Sequence, residues 1–299
     1  MASVRIERNA EINGWMFIAP ALVLLGLFLI YPILWSLWMS FQVGKGLNFH
    51  FGGFANIVRL TRDPVFIRSL TNTCIFFFVQ VPIMITLALL FAVALNDTTL
   101  KMRGFLRTAI FLPCVTSLVA YSVLFKSMFA NDGVINHALM FLHVIGTPIP
   151  WLTDPFWAKV VIILAITWRW TGYNMVFYLA ALQNIDRSIY ESARIDGVPS
   201  WATFIHITIP MLKPVILFTT VISTIGTLQL FDEVNNITID GSPSGATETL
   251  SIYIYDLTFR FMPNYGYAAT VSYVIVVIVA ILSALQFWIA RDRRPRVKT

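Results

Sequence analysis

Six long apolar stretches, nearly free of charged residues, dominate this sequence and restrict what it can fold into. A helix of about 20 apolar residues spans the hydrocarbon core of a bilayer, and each stretch is of that order. Only 12% of the residues are charged, against roughly 25% in ordinary soluble domains. We therefore predict an all-α membrane protein with six transmembrane helices, at about residues 15–41, 69–95, 108–125, 158–183, 209–230 and 267–289.

The distribution of charge predicts the orientation of these helices. If the N-terminus is cytoplasmic, the segments on that side hold thirteen basic and seven acidic residues, and those on the other side hold seven basic and eight acidic residues. Because an excess of Lys and Arg marks cytoplasmic loops, we predict that both termini are cytoplasmic. The formal charge of +6 is then a topology signal, and we expect no nucleic-acid partner.

The whole chain is predicted to form one membrane unit. Residues 1–13 are a polar cytoplasmic lead, residues 14–290 form the transmembrane domain, and residues 291–299 are a basic cytoplasmic tail. The first apolar stretch is longer than the core of a secretory signal and lacks a small-residue cleavage site after it. We therefore expect it to remain as a membrane anchor. Cys74 and Cys114 lie in apolar stretches and are interpreted as small buried hydrophobes.

A polar loop between the fourth and fifth stretches, residues 184–208, carries the most patterned sequence in the chain. Ser188 can cap a short helix, and Glu191, three residues later, can complete a capping box. Gly197 can end that helix in a left-handed conformation at no steric cost. Ser200 can then cap a second helix. The sequence therefore predicts a helix, a glycine elbow and a second helix.

The same loop resembles the EAA loop of the permeases of binding-protein-dependent ABC importers. The resemblance is carried, at the family's spacing, by Glu191, Ala193, Gly197, Ile207 and Pro210. Ser192 stands where the family usually has alanine, and Ile209 where it has leucine. Both substitutions keep size and polarity nearly intact.

Short matches elsewhere resemble the carbohydrate branch of the same family and extend over about residues 15–289. They comprise residues 17–21, 31–32, 72–73, 105–108, 111–113, 170–172, 180–183, 231–232, 249–250, 253–255 and 265–268. The resemblance implies the type I ABC importer permease fold, in the plasma (inner) membrane of a bacterium.

The resemblance also implies a set of partners. These are a second permease subunit in a heterodimer, two copies of an ATP-binding subunit in the cytoplasm, an extracytoplasmic sugar-binding protein, and membrane lipid. No cofactor is expected on this chain, because ATP and Mg are used by the partner ATPase. In relatives the loop helix sits in a cleft of the ATPase and transmits its closure to the spans. Carried over to this chain, the coupling residues are Glu191, Ser192, Ala193, Asp196, Gly197, Ile207 and Pro210.

Arg169 lies inside the fourth apolar stretch, between two tryptophans. An ionisable residue at membrane depth is costly and usually faces the bundle interior or a watery cavity. Two interpretations stand side by side: Arg169 lines a translocation path, or it pairs with Asp232 or a carbonyl group, or snorkels, for structural reasons. Aromatic rings and polar groups line ligand sites. The candidate path residues are Arg169, Trp170, Asn174, Tyr178, Gln229 and Asp232.

Enzymatic chemistry is not indicated by this sequence. It has no Walker A phosphate loop, no nucleophile elbow and no metal-ligand cluster, since His137 and His143 lack a third ligand. We therefore expect a transport subunit with no catalytic residue and no metal. The alternative is a secondary, ion-coupled sugar transporter, but that class usually shows inverted repeats and discontinuous helices, which this sequence does not clearly show.

Overall fold

The computed structural model describes residues 2–46, 48–97, 99–238 and 241–291, with side chains from residue 14 onward. The predicted basic tail beyond Arg291 therefore lies outside the described residues, as do the side chains of the predicted N-terminal lead. The helices are α1 (Ala2–Leu25), α2 (Tyr31–Ser40), α3 (Ala55–Leu60), α4 (Pro64–Asn96), α5 (Arg103–Val115), α6 (Leu118–Met128), α7 (Val134–Phe141), α8 (Pro155–Gln183), α9 (Arg187–Ile195), α10 (Ser200–Thr203), α11 (Ile209–Leu228), α12 (Asp232–Ile237), α13 (Leu250–Tyr255) and α14 (Tyr265–Ala290). The strands are β1 (Gln42–Lys45) and β2 (Asn48–Phe51), and π-helical turns occupy Gly26–Ile30, Phe204–Thr208 and Asp256–Arg260.

The predicted all-α membrane architecture is confirmed. Among the described residues, five helices are long and apolar enough to cross a membrane, and a bent pair of helices, α5 and α6, supplies a sixth candidate. The five are Gly14–Ser40, Pro64–Asn96, Pro155–Gln183, Ser200–Leu228 and Tyr265–Ala290.

The predicted third span, residues 108–125, is not a straight helix. The chain bends by 100° between α5 and α6. Thr116 and Ser117 are extended at the bend, with ψ of 148° and 134°, and the Thr116 hydroxyl donates to the Pro113 carbonyl at 2.7 Å. A short hydroxyl side chain that bonds to nearby backbone competes with helical hydrogen bonding. The bend was not predicted from the sequence because the stretch is apolar enough to be read as one span.

The chain divides into two compact units, of which the first comprises Met1–Arg62 and Ile254–Tyr273. Strands β1 and β2 form an antiparallel hairpin there. The Asn56 amide donates to the carbonyls of Ser40 at 3.0 Å and Gln42 at 2.8 Å, which ties α3 to the end of α2 and to β1. Gly266 of α14 fits closely, because a Cβ atom there would lie 2.0 Å from the Gln42 carbonyl oxygen.

The second unit, Asp63–Tyr253 and Val274–Thr299, is built around α8. This helix packs against α4, α5 and α11. The residues of α8 that face these neighbours, such as Val161, Ile162 and Met175, are fully buried. Gly172 allows the close approach of α5, since a Cβ atom there would lie 2.1 Å from the Ile110 carbonyl oxygen. The predicted fourth span is therefore the buried centre of this unit.

Helices α4 and α8 begin with the same N-terminal capping arrangement. Asp63 caps α4 by accepting hydrogen bonds from Val65 and Phe66, and Asp154 caps α8 by accepting from Phe156 and Trp157. In both helices proline occupies the first turn, where its fixed φ suits the helix and its missing N–H costs nothing. Both helices consequently start three to five residues before the predicted spans.

Candidate coupling loop and intramembrane charged group

The first helix of the polar loop, α9, is capped by Asp186, so the predicted cap at Ser188 is wrong. The Asp186 carboxylate accepts a hydrogen bond from the Ser188 N–H at 2.9 Å. That bond holds the pKa of the Asp186 carboxyl below its usual range. Aspartate caps helices as well as serine does, and it comes two residues earlier. Because Ile189 now occupies the third helical position, Glu191 cannot complete the predicted capping box.

The predicted elbow at Gly197 is confirmed. Its φ of +70° is the left-handed conformation that glycine adopts freely. The Gly197 N–H donates to the Arg194 carbonyl at 3.1 Å, and the Val198 N–H donates to the Ala193 carbonyl at 3.0 Å. These two bonds form a Schellman motif, which satisfies carbonyl groups left free at the helix end. The end of α9 is therefore fixed by its own backbone.

The loop presents most of its predicted coupling residues to the surroundings. Glu191, Ser192 and Asp196 are exposed, whereas Ala193 is buried against its own chain. Within the part of the chain that the structure describes, the Glu191 carboxylate makes no hydrogen bond or ion pair. Since it does not cap the helix, this carboxylate is available to a basic group of another protein.

The second helix of the loop continues directly into the fifth span. Ser200 is the first residue of α10, preceded by Pro199 without a side-chain cap, so the predicted cap at Ser200 is wrong. From there the helix runs through the π-helical turn to Leu228 as one candidate span. Ile207 is half-buried within that turn, and Pro210 is exposed in the first turn of α11. A displacement of the loop at Ser200 would therefore act on the span itself.

One side-chain contact joins the two helices of the loop. The Tyr190 hydroxyl of α9 lies 3.3 Å from the Thr208 hydroxyl, which is buried at the end of the π-helical turn. This contact was not predicted from the sequence. The only available indication was a tyrosine directly before Glu191 and a threonine directly before α11, two hydroxyl side chains that could meet.

Arg169 forms a second polar group, at the middle of α8. Its guanidinium carbon lies 5.1 Å from the centre of the Tyr121 ring and 5.8 Å from that of Trp170. Arginine over an aromatic face within about 6 Å is a cation–π contact. Its Nε and Nη1 atoms are buried without a hydrogen-bond partner among the described residues. Asp232, the partner considered from the sequence, is exposed at the start of α12, and no ion pair joins the two in the described chain.

The carboxylate beside Arg169 belongs instead to Glu233. This side chain is only 6% exposed, and it receives a hydrogen bond from the side chain of Trp170. Burial raises the pKa of the Glu233 carboxyl, while hydrogen bonding by its own backbone and the charge of Arg169 oppose that rise. Neither Glu233 nor Tyr121 was predicted from the sequence. The pair Asp232 and Glu233 at the end of an apolar stretch was the available signal, and only the fold distinguishes the exposed from the buried acid.

The remaining predicted path residues divide by exposure. Trp170 and Gln229 are exposed. Asn174 is 1% exposed and donates to the Trp170 carbonyl at 3.0 Å. Tyr178 is fully buried, with its hydroxyl 2.6 Å from that of Thr219. Trp170 and Gln229 are therefore accessible on the described chain, whereas Tyr178 joins α8 to α11 and Asn174 is bonded within α8.

Curated relatives of this chain are sugar permeases. The chain is 65% identical over 290 residues to the lactose transport system permease protein LacF of Rhizobium radiobacter, an alignment that covers 97% of each. It is 31% identical over 283 residues to the arabinooligosaccharides transport system permease protein AraP of Halalkalibacterium halodurans, covering 94% of this chain and 88% of that protein.

A solved structure and a family description agree with these relatives. The fold matches a chain in the crystal structure of a bacterial alginate ABC transporter in complex with an alginate pentasaccharide-bound periplasmic protein. That match has a TM-score of 0.82 and 25% identity, and it covers 96% of both chains. Residues 51–295 match the family described as binding-protein-dependent transport system inner membrane component. This chain therefore belongs to that family and is a permease subunit of an ABC-type sugar importer.

Proposed function

We propose that this chain forms part of the translocation path of an ATP-driven importer for lactose or a closely similar disaccharide. The observation that carries the proposal is the 65% identity to the lactose permease over 97% of each chain. The aligned 290 residues take in almost all of the chain. The relatives named for other sugars are only about half as similar.

The polar loop is proposed to couple ATP hydrolysis in a separate ATPase to movement of the spans. Three observations support this role. The Glu191 carboxylate is exposed and free of partners among the described residues. The Schellman motif at Gly197 fixes the end of α9. The helix from Ser200 runs without interruption into the fifth span. A force applied to α9 would therefore be transmitted to the fifth span through the fixed elbow at Gly197 and one continuous helix.

The charged group at Arg169 is proposed to organise the path for the sugar. Arg169 and Glu233 place opposite charges beside two exposed aromatic side chains, Trp168 and Trp170. Ligand sites combine apolar and aromatic walls with a few fixed polar groups, and Trp170 offers a ring face and Gln229 an amide. In this proposal Arg169 and Glu233 hold Trp170 in position rather than neutralise a charged cargo.

The remaining parts of the importer follow from the family. We propose a heterodimer with a second permease subunit in the bacterial plasma membrane, with two ATP-binding subunits in the cytoplasm and an extracytoplasmic sugar-binding protein. The termini and the loop around Glu191 face the cytoplasm in this arrangement. ATP and Mg bind to the ATPase subunits and not to this chain.

The test is uptake of labelled lactose by the complex purified through a tag on this chain and reconstituted in proteoliposomes. We expect uptake that requires both internal ATP and the external binding protein. Excess unlabelled lactose should abolish it, whereas maltose and an arabino-oligosaccharide should compete weakly. Uptake of lactose driven by an ion gradient without ATP would support the secondary-transporter alternative instead. ATP-dependent uptake of another sugar with no lactose uptake would refute the sugar while leaving the importer assignment in place.

A further inference from the structure

A cavity of about 790 Å³ lies on the loop side of the second unit, apart from the Arg169 group. This open cavity is lined by the ends of α4 and α8, the start of α5, and the helices α9 and α10. Its charged lining residues are Asp97, Arg103, Arg107, Arg187, Glu191 and Arg194. Residues from two separate helices, α5 and α9, and from the segment after α4 thus bring four guanidinium groups and two carboxylates around one space.

The positive charge in this cavity is not neutralised by the chain. None of the four arginines forms an ion pair within the residues that the structure describes. Arg107 uses one terminal nitrogen to donate to the Leu95 carbonyl at 3.2 Å, but its Nε is buried without a partner. An unsatisfied buried donor on a charged group is costly. The cavity therefore lacks at least one acceptor.

The two carboxylates of the lining do not supply the missing acceptor. The Asp97 carboxylate accepts hydrogen bonds from the Thr99 N–H and hydroxyl, both at 2.8 Å. Those bonds, with a smaller contribution from Arg194, hold the pKa of the Asp97 carboxyl below its usual range. Glu191 is exposed and makes no ion pair among the described residues. Two positive charges remain in excess even with both acids ionised.

The uncharged part of the lining mixes polar residues, such as Asn96, Gln183 and Thr203, with apolar side chains at or near the ends of membrane spans. Val93 lies near the end of α4, Leu182 near the end of α8, and Phe204 at the start of the π-helical turn. The cavity therefore combines a cluster of arginines with an apolar wall at the level where spans leave the bilayer. Arginine binds phosphate oxygens in a bidentate manner, and basic pockets between transmembrane helices on the cytoplasmic side bind anionic lipid head groups.

We propose that this cavity binds the phosphate group of an anionic phospholipid such as phosphatidylglycerol, with its acyl chains along the apolar wall. Because Arg187 and Arg194 belong to α9 and Arg103 and Arg107 to α5, the bound phosphate would connect the loop helix to the transmembrane core. The consequence for coupling rests on the proposed function of the loop, whereas lipid binding itself does not.

The test is native mass spectrometry of the full importer complex in detergent, titrated with phosphatidylglycerol or with phosphatidylcholine. We expect wild-type complex to retain phosphatidylglycerol in preference to phosphatidylcholine. Loss of an arginine near the membrane surface should weaken that binding by about fivefold, so Arg103→Gln and Arg103→Gln/Arg107→Gln should show successive losses. Arg103 is exposed and makes no ion pair with the residues that the structure describes, so the single variant remains informative if the double variant fails to assemble.

Lys101→Gln is the matched control, since Lys101 is an exposed cation two residues away that does not line the cavity. Its lipid binding should equal that of wild type.

Equal retention of the two lipids, or unchanged binding in both arginine variants, would overturn the proposal. Displacement of the lipid by inorganic phosphate at the same concentration would assign the cavity to a free anion. Binding by the permease alone that disappears once the ATPase subunits are present would show that an acidic part of the ATPase occupies it. Both results contradict a lipid site. ATP-driven lactose uptake, measured separately, distinguishes failure of this proposal from failure of the proposed function.

Discussion

The polar loop and the Arg169 group are both polar interruptions of an apolar chain, but they are stabilised in opposite ways. The loop is held by the Asp186 carboxylate, which accepts from the Ser188 N–H, and by backbone hydrogen bonds at Gly197, and it leaves the Glu191 carboxylate free among the described residues. The Arg169 group is held by side chains from three helices, α6, α8 and α12, and its acid is buried. Local sequence therefore determines the first, whereas tertiary packing determines the second.

This difference predicts different failures. A change of backbone conformation should damage the loop most, and a change of charge should damage the Arg169 group most. Changes of single hydrogen bonds should have smaller effects at both places.

The largest effect is expected for Gly197→Val. The left-handed conformation costs a residue with a Cβ atom about 1–2 kcal/mol, and β-branched residues almost never adopt its positive φ. We expect ATPase docking to weaken and lactose-stimulated ATP hydrolysis to fall by about tenfold, the change that about 1.4 kcal/mol produces. Co-purification of the ATPase and hydrolysis by the reconstituted complex provide the measurement.

The matched control is Gly197→Asn, because asparagine adopts positive φ more readily than other residues. A Cβ atom at this position would meet nothing within 4 Å in this chain, so a clash of that atom within the permease is excluded as the cause of a defect. Wild-type docking and hydrolysis in Gly197→Val would show that the elbow is only a turn.

Removal of the intramembrane charge should have the next largest effect. Arg169→Met leaves the Glu233 carboxylate buried without its nearby cation, so we expect a lower unfolding temperature in detergent. Glu233→Gln in the same chain should recover part of the loss, with a coupling energy of about 0.5–3 kcal/mol in the double-mutant cycle. Additive effects of the two substitutions would show that they do not interact. Unchanged uptake in a stable Arg169→Met permease would remove Arg169 from the transport path.

Sequence predicted the loop well because its determinants are close together along the chain. A glycine after a helical pattern predicted the elbow at Gly197, whereas the caps predicted at Ser188 and Ser200 and the capping box at Glu191 were wrong. The span starts were missed by a few residues, although Asp63–Pro64 and Asp154–Pro155 each join a capping residue to a proline suited to the first turn. The bend at Thr116 and Ser117 was missed because a hydroxyl that bonds to the Pro113 carbonyl hardly alters the apolar pattern from which spans are predicted. The choice of Glu233 over Asp232 depends on packing between distant segments, which no spacing in the sequence indicates.

A smaller effect is expected for Tyr190→Phe, which removes the 3.3 Å contact with Thr208. Net contributions of single hydrogen bonds are about 0.5–1.5 kcal/mol, and this long one should lie at the lower end. We expect lactose-stimulated hydrolysis to fall about twofold, with ATPase docking unchanged because α9 keeps its own backbone bonds. Loss of docking in this variant would indicate that Tyr190 contacts the ATPase directly.

The smallest effect on transport is expected for Tyr178→Phe. The Thr219 hydroxyl also donates to the carbonyls of Val215 and Ile216. It therefore keeps a hydrogen-bond acceptor when the tyrosine hydroxyl is removed. We expect a stability loss of about 1 kcal/mol, measured by thermal unfolding, and unchanged competition by other sugars in the uptake assay. An altered order of sugar preference would return Tyr178 to the path.

The most direct test of the central claim is the number of lactose molecules transported per ATP hydrolysed in proteoliposomes, for Glu191→Gln beside wild type. Since Glu191 does not cap α9, the substitution should preserve the loop helix and remove only the free charge. We expect the ratio to fall while sugar preference and membrane insertion stay as in wild type. An unchanged ratio, with normal stimulation of hydrolysis by lactose, would contradict the assignment of this loop as the coupling element.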